Sequence, residues 1–418
     1  MKKIVIDGGH KLSGTIEVAG AKNSAVALIP AAILSSGMVE IDNVPNISDI
    51  DALEEILLFL GAKITRNAKK IIIDSSSISN CEIPENISSK LRASYYFMAA
   101  LLGRFKHVEM YFPGGCSIGA RPIDQTLKAF RLLGATVVED DKKFTIDAEK
   151  LVGNTIYLDM PSVGATINTM LAACLAEGDT VIRNAAREPE IVNVAMFLNN
   201  MGAKISGAGT SKIRISGVSS LTHGFTEVIP DRIEAGTYII AGALVGDNLK
   251  IDNIIPEHVE SLLYKLKEIG VNFELSDNSI ILSKCDNLKP TRIKTLGYPG
   301  FPTDLQQPFT VLLCMCNGKS ILEETIYENR FNNVFYLNKM GCNINILNNQ
   351  KIEIFGPTDF VGNEVVATDL RAGACMVLAG LVASGRTVIS DVEHILRGYE
   401  NIIEKLSKVG ASIYLETK

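Results

Sequence analysis

The chain reads as an α/β protein assembled from six copies of one β-α-β-α-β-β unit, three copies to each of two similar domains. Three observations carry this. A glycine returns at Gly61, Gly134, Gly202, Gly270, Gly341 and Gly410, in steps of 73, 68, 68, 71 and 69 residues. Each closes a leucine- or methionine-rich helix end and opens a β-like run, as in FLGAKIT, LLGATVV, NMGAKIS, EIGVNFE, KMGCNIN and KVGASIY. And each copy holds one stretch that is apolar nearly all round. So regular a period marks repetition of one supersecondary unit, and the differences between copies point to function.

The elements follow in order. The apolar stretches are SAVALIPAAILSS, ASYYFMAALL, ATINTMLAACLAE, GTYIIAGALV, LQQPFTVLLCMCN and AGACMVLAGLVAS. Helices without a polar face are buried on all sides. Each runs to a glycine (Gly37, Gly103, Gly178, Gly246, Gly318, Gly385), expected to take a left-handed cap. A β run such as VEIDNV or TVISDV comes next, then an amphipathic helix such as VESLLYKLKEIG, then the strand after the repeat glycine and often a second. Six fully buried helices do not fit in one layer. Three per domain, enclosed by sheet and amphipathic helices, is the simplest packing.

Composition narrows the class. The 418 residues, 47% apolar and 21% charged, make an ordinary globular protein. A net charge of −6 speaks against a general nucleic-acid surface, while leaving room for a local basic cluster around a small anion. The start MKKIVIDGGHKL meets Asp7 too early for a signal peptide, and no apolar run has the length of a membrane span, so the expectation is a cytoplasmic protein with no membrane partner. The eight cysteines are scattered and the five histidines isolated, without zinc spacing, so no metal is assigned. Cys174, Cys314, Cys316 and Cys375 sit in apolar helical stretches and read as buried free thiols.

The copies differ in two places. From the first β run to the repeat glycine there are 20 residues between Ile41 and Gly61, 20 between Ile182 and Gly202, and 19 between Ile251 and Gly270. The last two copies have 20, from Ile321 to Gly341, and 21, from Ile389 to Gly410; in the second copy Met110 to Gly134 is 24. The excess falls in FPGGCSIGARPID. Gly114, Gly115 and Gly119 allow backbone amides to wrap an anion, and Arg121 would lower the pKa of Cys116. The same residues also suit a glycine-rich hairpin with an incidental cysteine.

The second place is the start of each buried helix: Lys22 and Asn23, Arg92, Ser162 to Gly164, Arg232 and Glu234, Asp304, and Asp369 with Arg371. Equivalent positions in a pseudo-symmetric domain face a common centre, and converging helix N-termini with Lys and Arg make an anion pocket. Taken singly, Asp304 and Asp369 are equally ordinary helix N-terminal residues. A carboxylate among cations serves as a general base toward a hydroxyl where its pKa suits. Arg330 in YENRF and Arg397 in HILRGYE are further arginines beside turns, of the kind that hold phosphate or carboxylate bidentately.

The segments AGAKNSA, FPGGCSIGARPID, PSVGAT, PDRIEAGTY, FPTDLQ, YENRF, ATDLRA and HILRGYE occur in this order. Through them the chain, nearly end to end, resembles the bacterial UDP-N-acetylglucosamine 1-carboxyvinyltransferases, enolpyruvyl transferases of peptidoglycan precursor synthesis. The resemblance implies two inside-out α/β domains, residues 22–229 and residues 1–21 with 230–418, closing on substrate. It implies two small-molecule partners, phosphoenolpyruvate and UDP-N-acetylglucosamine, and no cofactor. Lys22, Asn23, Arg121 and Arg397 are implied to hold phosphoenolpyruvate. Arg92, Arg121, Pro122, Ile123, Asp124, Gln125, Ser162, Val163, Gly164, Asp304 and Ile326 are implied to line the nucleotide-sugar site, beside Arg330, Asp369 and Arg371. Cys116 looks like the acid that protonates the methylene carbon and the site of a fosfomycin adduct, and Asp304 like the base. Met160 and Pro161 stand where some relatives carry a basic residue, while the helix N-terminus at Ser162 remains available to a diphosphate. The competing expectations are a shikimate-pathway enolpyruvyl transferase, of similar fold but without the cysteine loop, and a six-repeat DNA clamp, whose basic helix-lined bore these apolar helices do not supply.

Overall fold

The computed structural model describes residues 2–112 and 123–417. The described residues fall into two compact units: residues 20–112 with 123–229, here the first unit, and residues 2–19 with 230–417, the second. The described strands form six four-stranded sheets with one topology. In the third repeat Thr155–Tyr157 lies parallel to Asp179–Arg183, with Ile156 opposite Ile182. Asp179–Arg183 runs antiparallel to Lys212–Ser216, and Lys204–Ser206 closes the far edge. The parallel pair is joined through the buried helix Val163–Ala173 and the antiparallel pair through the amphipathic helix Pro189–Asn200. This is the β-α-β-α-β-β unit expected from the sequence.

Three sheets borrow a strand from far along the chain. Gly224–Glu227 pairs with Met38–Asp42, Leu12–Glu17 with Gly246–Asp252, and Lys2–Asp7 enters between Arg386–Ser390 and Ser412–Thr417. The first two are edge strands pairing in parallel, so each unit is circularly closed: its first buried helix begins one repeat whose opening strand is supplied from elsewhere in the chain.

The buried helices form the cores. In the second unit Arg232–Val245, Thr303–Cys314 and Leu370–Val382 all touch one another; in the first, Tyr96–Phe105 touches both Lys22–Ala31 and Val163–Ala173. From Ala25 to Ala31 every side chain is buried, as is every one from Ile233 to Val245. No described helix is long and apolar enough to cross a membrane.

All six repeat glycines take positive φ, from 96° at Gly270 to 107° at Gly202 and Gly410. The chain can therefore turn straight from amphipathic helix to strand, where an L side chain would be strained. The expectation for the glycines after the buried helices holds only in part. Gly178, Gly318 and Gly385 are left-handed. Gly103 lies inside Tyr96–Phe105, and the left-handed residue there is Lys106 at φ 61°. Gly246 has φ −68°, because that helix passes directly into strand Gly246–Asp252. A Cβ on Gly246 would sit 2.5 Å from the Gly242 carbonyl oxygen, so the glycine is needed there for space. Gly37 follows a short 3-10 turn, Ala32–Leu34, and is likewise outside the positive-φ set.

Candidate active site

In the first unit Lys22 is the first residue of helix Lys22–Ala31, and its Nζ lies 2.6 Å from Asp49 Oδ2, with both side chains largely buried. Asn23 follows it. Ser24 Oγ donates to Asn193 Oδ1 at 2.5 Å, and Asn193 Nδ2 donates to the Glu227 carbonyl at 3.1 Å. The start of the lysine-bearing helix is thereby tied to strand Gly224–Glu227.

Arg92 opens the short turn Arg92–Tyr95 that feeds Tyr96–Phe105. Ser162 caps helix Val163–Ala173, its Oγ accepting from the Ala165 amide at 3.2 Å. These two segments meet: a Cβ on Gly164 would come within 1.9 Å of Tyr95 Oη, so any larger residue would have to push that ring aside. Ile123 precedes helix Asp124–Leu132, which carries Asp124 and Gln125. The Met160 amide donates to Gln125 Oε1 at 3.3 Å, placing Gln125 beside the residues that enter the Ser162 cap. Met160 itself is 63% exposed, an apolar side chain in water at the edge of this cluster. Arg92, Gln125 and Ser162 to Gly164 are thus brought to one end of the unit by contacts running through Tyr95 and Met160. Cys116, Arg121 and Pro122, with the rest of the inserted loop from 113 to 122, lie outside the described residues.

In the second unit the three buried helices begin differently. Asp231 caps Arg232–Val245, accepting from the Ile233 and Glu234 amides at 2.8 and 3.0 Å. Asp369 caps Leu370–Val382 in the same way, through the Arg371 and Ala372 amides at 2.8 and 3.0 Å. Asp304 caps nothing. Helix Thr303–Cys314 starts after Pro302, so Asp304 is already inside the first turn and its carboxylate is open to other partners. Arg330 Nη2 donates to Oδ1 at 2.7 Å, and Arg371 Nη2 to Oδ2 at 3.1 Å. The two arginine side chains are 2% and 6% exposed, that of Asp304 25%.

Burial pushes the Asp304 carboxyl up, but the charges of Arg371, Arg330 and Arg232 overcome this and hold it far below the usual carboxylate range. In this arrangement Asp304 is a weak proton acceptor. Three cations face this one carboxylate, and Asp231 adds a second negative charge that acts on Arg371. Arg371 is oriented from behind by Tyr399, whose Oη accepts from Nη1 at 3.1 Å and lies 3.0 Å from Thr237 Oγ1. Arg397 ends the short helix Glu393–Leu396, and the adjacent Gly398 packs so closely on Leu370 that a Cβ would meet its side chain at 2.5 Å. The Arg397 turn therefore abuts the start of the Arg371 helix. Ile326 is 43% exposed, with its amide donated to Glu324 Oε1 at 2.8 Å.

Glu234 departs from the sequence-based grouping. It turns away from the arginines, accepting from the Ala19 amide at 2.9 Å and Lys405 Nζ at 2.7 Å, and burial raises its carboxyl despite the lysine. Asp231, Thr303, Glu324 and Tyr399 were not singled out from the sequence. Lining up PDRIEAG with TDLRAGA shows Asp231 in the place of Asp369; nothing in the local pattern marks Glu324. Cys174, Cys314, Cys316 and Cys375 are buried thiols as expected, and burial pushes Cys174 up to about 12.

The model for EPSP synthase (3-phosphoshikimate 1-carboxyvinyltransferase) matches residues 6–406. The chain belongs to this family of enolpyruvyl transferases. Among curated relatives, UDP-N-acetylglucosamine 1-carboxyvinyltransferase 2 of Geobacillus kaustophilus is 51% identical over 416 residues, covering 100% of this chain and 97% of the relative. The protein of the same name from Bacillus subtilis is 51% identical over 418 residues, with the same coverage. Among solved structures, the enolpyruvyl transferase NikO from Streptomyces tendae superimposes with a TM-score of 0.90 at 26% identity, covering 100% of this chain and 99% of its own. An EPSP synthase from Acinetobacter baumannii gives a TM-score of 0.75 at 19% identity over the full length of both chains, which speaks to the fold alone. Membership of an enolpyruvyl transferase family, matched over nearly the whole chain, removes the clamp expectation. It also makes the fold the two-domain architecture of these enzymes.

Proposed function

We infer that this chain transfers the enolpyruvyl group of phosphoenolpyruvate to the 3-hydroxyl of UDP-N-acetylglucosamine, releasing phosphate, as the entry step to peptidoglycan precursors in the cytoplasm. The carrying observation is 51% identity over the whole chain to proteins bearing that name. The reaction forms a bond from the sugar oxygen to C2 of phosphoenolpyruvate, then breaks the C2–O bond to phosphate. One proton leaves the sugar hydroxyl; another is added to the methylene carbon and removed again on elimination. Lys22, Asn23, Arg121 and Arg397 bind phosphoenolpyruvate, and Cys116 supplies the methylene proton. Arg92, Arg121 to Gln125, Ser162 to Gly164, Ile326, Arg330, Asp369 and Arg371 hold the nucleotide sugar.

Asp304 accepts the hydroxyl proton. Its ion pairs with Arg330 and Arg371 set a condition on this step: the carboxylate gains basicity as either arginine turns to a substrate anion. The same displacement links substrate binding to activation of the base. The two units correspond, on this reading, to domains 22–229 and 1–21 with 230–418.

Phosphate release on mixing the chain with phosphoenolpyruvate and UDP-N-acetylglucosamine tests the assignment, with Cys116→Ala expected to abolish it. Release with shikimate 3-phosphate in place of the nucleotide sugar would overturn the acceptor, and full release by the Cys116 variant the role of the thiol. Fosfomycin should add one adduct, at Cys116; an adduct at Cys314, or none, would count against the loop.

A further inference from the structure

Arg330, one of the two arginines on Asp304, is itself held by three contacts. Its Nη1 donates to Thr303 Oγ1 at 2.6 Å, its Nη2 to Asp304 Oδ1 at 2.7 Å, and its guanidinium carbon lies 5.0 Å from the centre of the Tyr327 ring. Two of the three trace back to one side chain. Glu324 is fully buried, at 0% exposure. Its Oε2 accepts from the Thr303 hydroxyl at 2.7 Å. Its Oε1 accepts from Thr295 Oγ1 at 2.9 Å and from the amides of Ile326 and Tyr327 at 2.8 and 3.2 Å.

A buried carboxylate with four donors fixes whatever carries them. Because the Thr303 hydroxyl gives its only proton to Glu324, its lone pairs face Arg330, which can only donate. The amide contacts hold the 326–327 backbone, and with it the Tyr327 ring beneath the guanidinium. We propose that Glu324 is a positioning residue for the transfer reaction: through the Thr303 hydroxyl and the 326–327 backbone it keeps Arg330 ordered beside Asp304, ready to turn to the substrate anion, and holds Ile326 at the acceptor site. The proposal rests on the assignment of Asp304 as base. It predicts that the hydroxyl, and not merely the bulk, of residue 303 matters to an arginine 27 positions away.

The test compares Thr303→Val, which keeps the shape and removes the hydroxyl, with Thr303→Ser, which keeps the hydroxyl. Thr303→Val should lower kcat about ten- to a hundredfold, the worth of one hydrogen bond to a charged group. KM for phosphoenolpyruvate, bound through Lys22, should stay within about twofold of wild type, and Thr303→Ser should restore kcat. Glu324→Gln, which leaves one acceptor oxygen for four donors, should move in the direction of Thr303→Val. A second readout needs no turnover: in nitrogen-15 NMR the Arg330 guanidinium protons should exchange with water about tenfold faster in Thr303→Val. Unchanged exchange overturns the positioning, and unchanged kcat its bearing on the reaction; equal loss in the valine and serine variants reduces the effect to packing. Were the wild-type chain to release no phosphate from these substrates, the function assigned above would fail while the exchange rates still decided this one.

Discussion

Replacing Asp304 by asparagine keeps the shape of the side chain and removes the one negative charge shared by two buried arginines. Breaking a buried ion pair by removing one partner costs about 3–5 kcal/mol, because the remaining charge stays buried and uncompensated. Asp304 is itself one-quarter exposed, so water relieves part of that, and the lower end, about 3 kcal/mol, is expected. In a unit of roughly two hundred residues each kcal/mol moves Tm by about 2–4 °C, so Asp304→Asn should unfold about 6–12 °C below wild type at pH 7. The sign of the pH dependence follows from the depressed carboxyl. Its contribution is complete above the unfolded pKa, near 4, and is lost as pH falls toward the lower folded value. At pH 3 the gap between the two proteins should have narrowed by about 1.3 kcal/mol, one unit below the unfolded value. Thermal unfolding followed by circular dichroism at both pH values measures this. Equal Tm at pH 7, or a gap that stays constant or widens in acid, would refute the claim that the arginines depend on this carboxylate.

Three further outcomes follow. Asp231→Ala removes an acceptor serving two helix amides and should cost about 1 kcal/mol in urea unfolding, with Asp231→Asn near wild type. Gly202→Ala should cost about 1–2 kcal/mol, purely from backbone strain at φ 107°, since nothing lies within 4 Å of the added carbon. By contrast, Gly217→Ala would place its Cβ 1.6 Å from the Ala176 carbonyl oxygen and should destabilise clearly more; the reverse order of the two would contradict the packing described.

The repeat and the buried helices were legible in the sequence, and so were three of the left-handed glycines, Gly178, Gly318 and Gly385, because each is a local property. Apolar residues all round a helix, or a glycine between helix and strand, needs no knowledge of distant residues. What stayed hidden depends on long-range pairing. The grouping of helix starts brought Arg371 toward Asp304, 67 positions away, but Arg330 read only as an arginine beside a turn, and its bond to the same carboxylate, 26 positions away, was not foreseen. Glu324 sits at a strand end in a polar stretch and has the pattern of a surface acid; only the fold turns it inward onto two threonines. Gly103 and Gly246 show the opposite failing, a local rule overridden by helix boundaries that the tertiary contacts move.

The Thr-Asp-Leu tripeptide occurs at the start of two buried helices, as Thr303-Asp304-Leu305 and as Thr368-Asp369-Leu370. By sequence the two aspartates are equivalent, and each could be an ordinary N-cap. The structure separates them by where the helix begins. After Ala367 the first helical residue is Leu370, so Asp369 is the cap and spends Oδ1 on the Arg371 and Ala372 amides. After Pro302 the helix starts two residues earlier in the tripeptide's frame, at Thr303, and Asp304 has no amide to cap. A side chain there is left to meet arginines instead. Asparagine caps a helix about as well as aspartate, so Asp369→Asn should change stability by less than about 1 kcal/mol while Asp304→Asn loses about 3. Unfolding the two variants side by side therefore measures the two roles of one tripeptide. Equal losses would mean that Asp369 also balances buried charge, and that the two aspartates do one job at two helix starts.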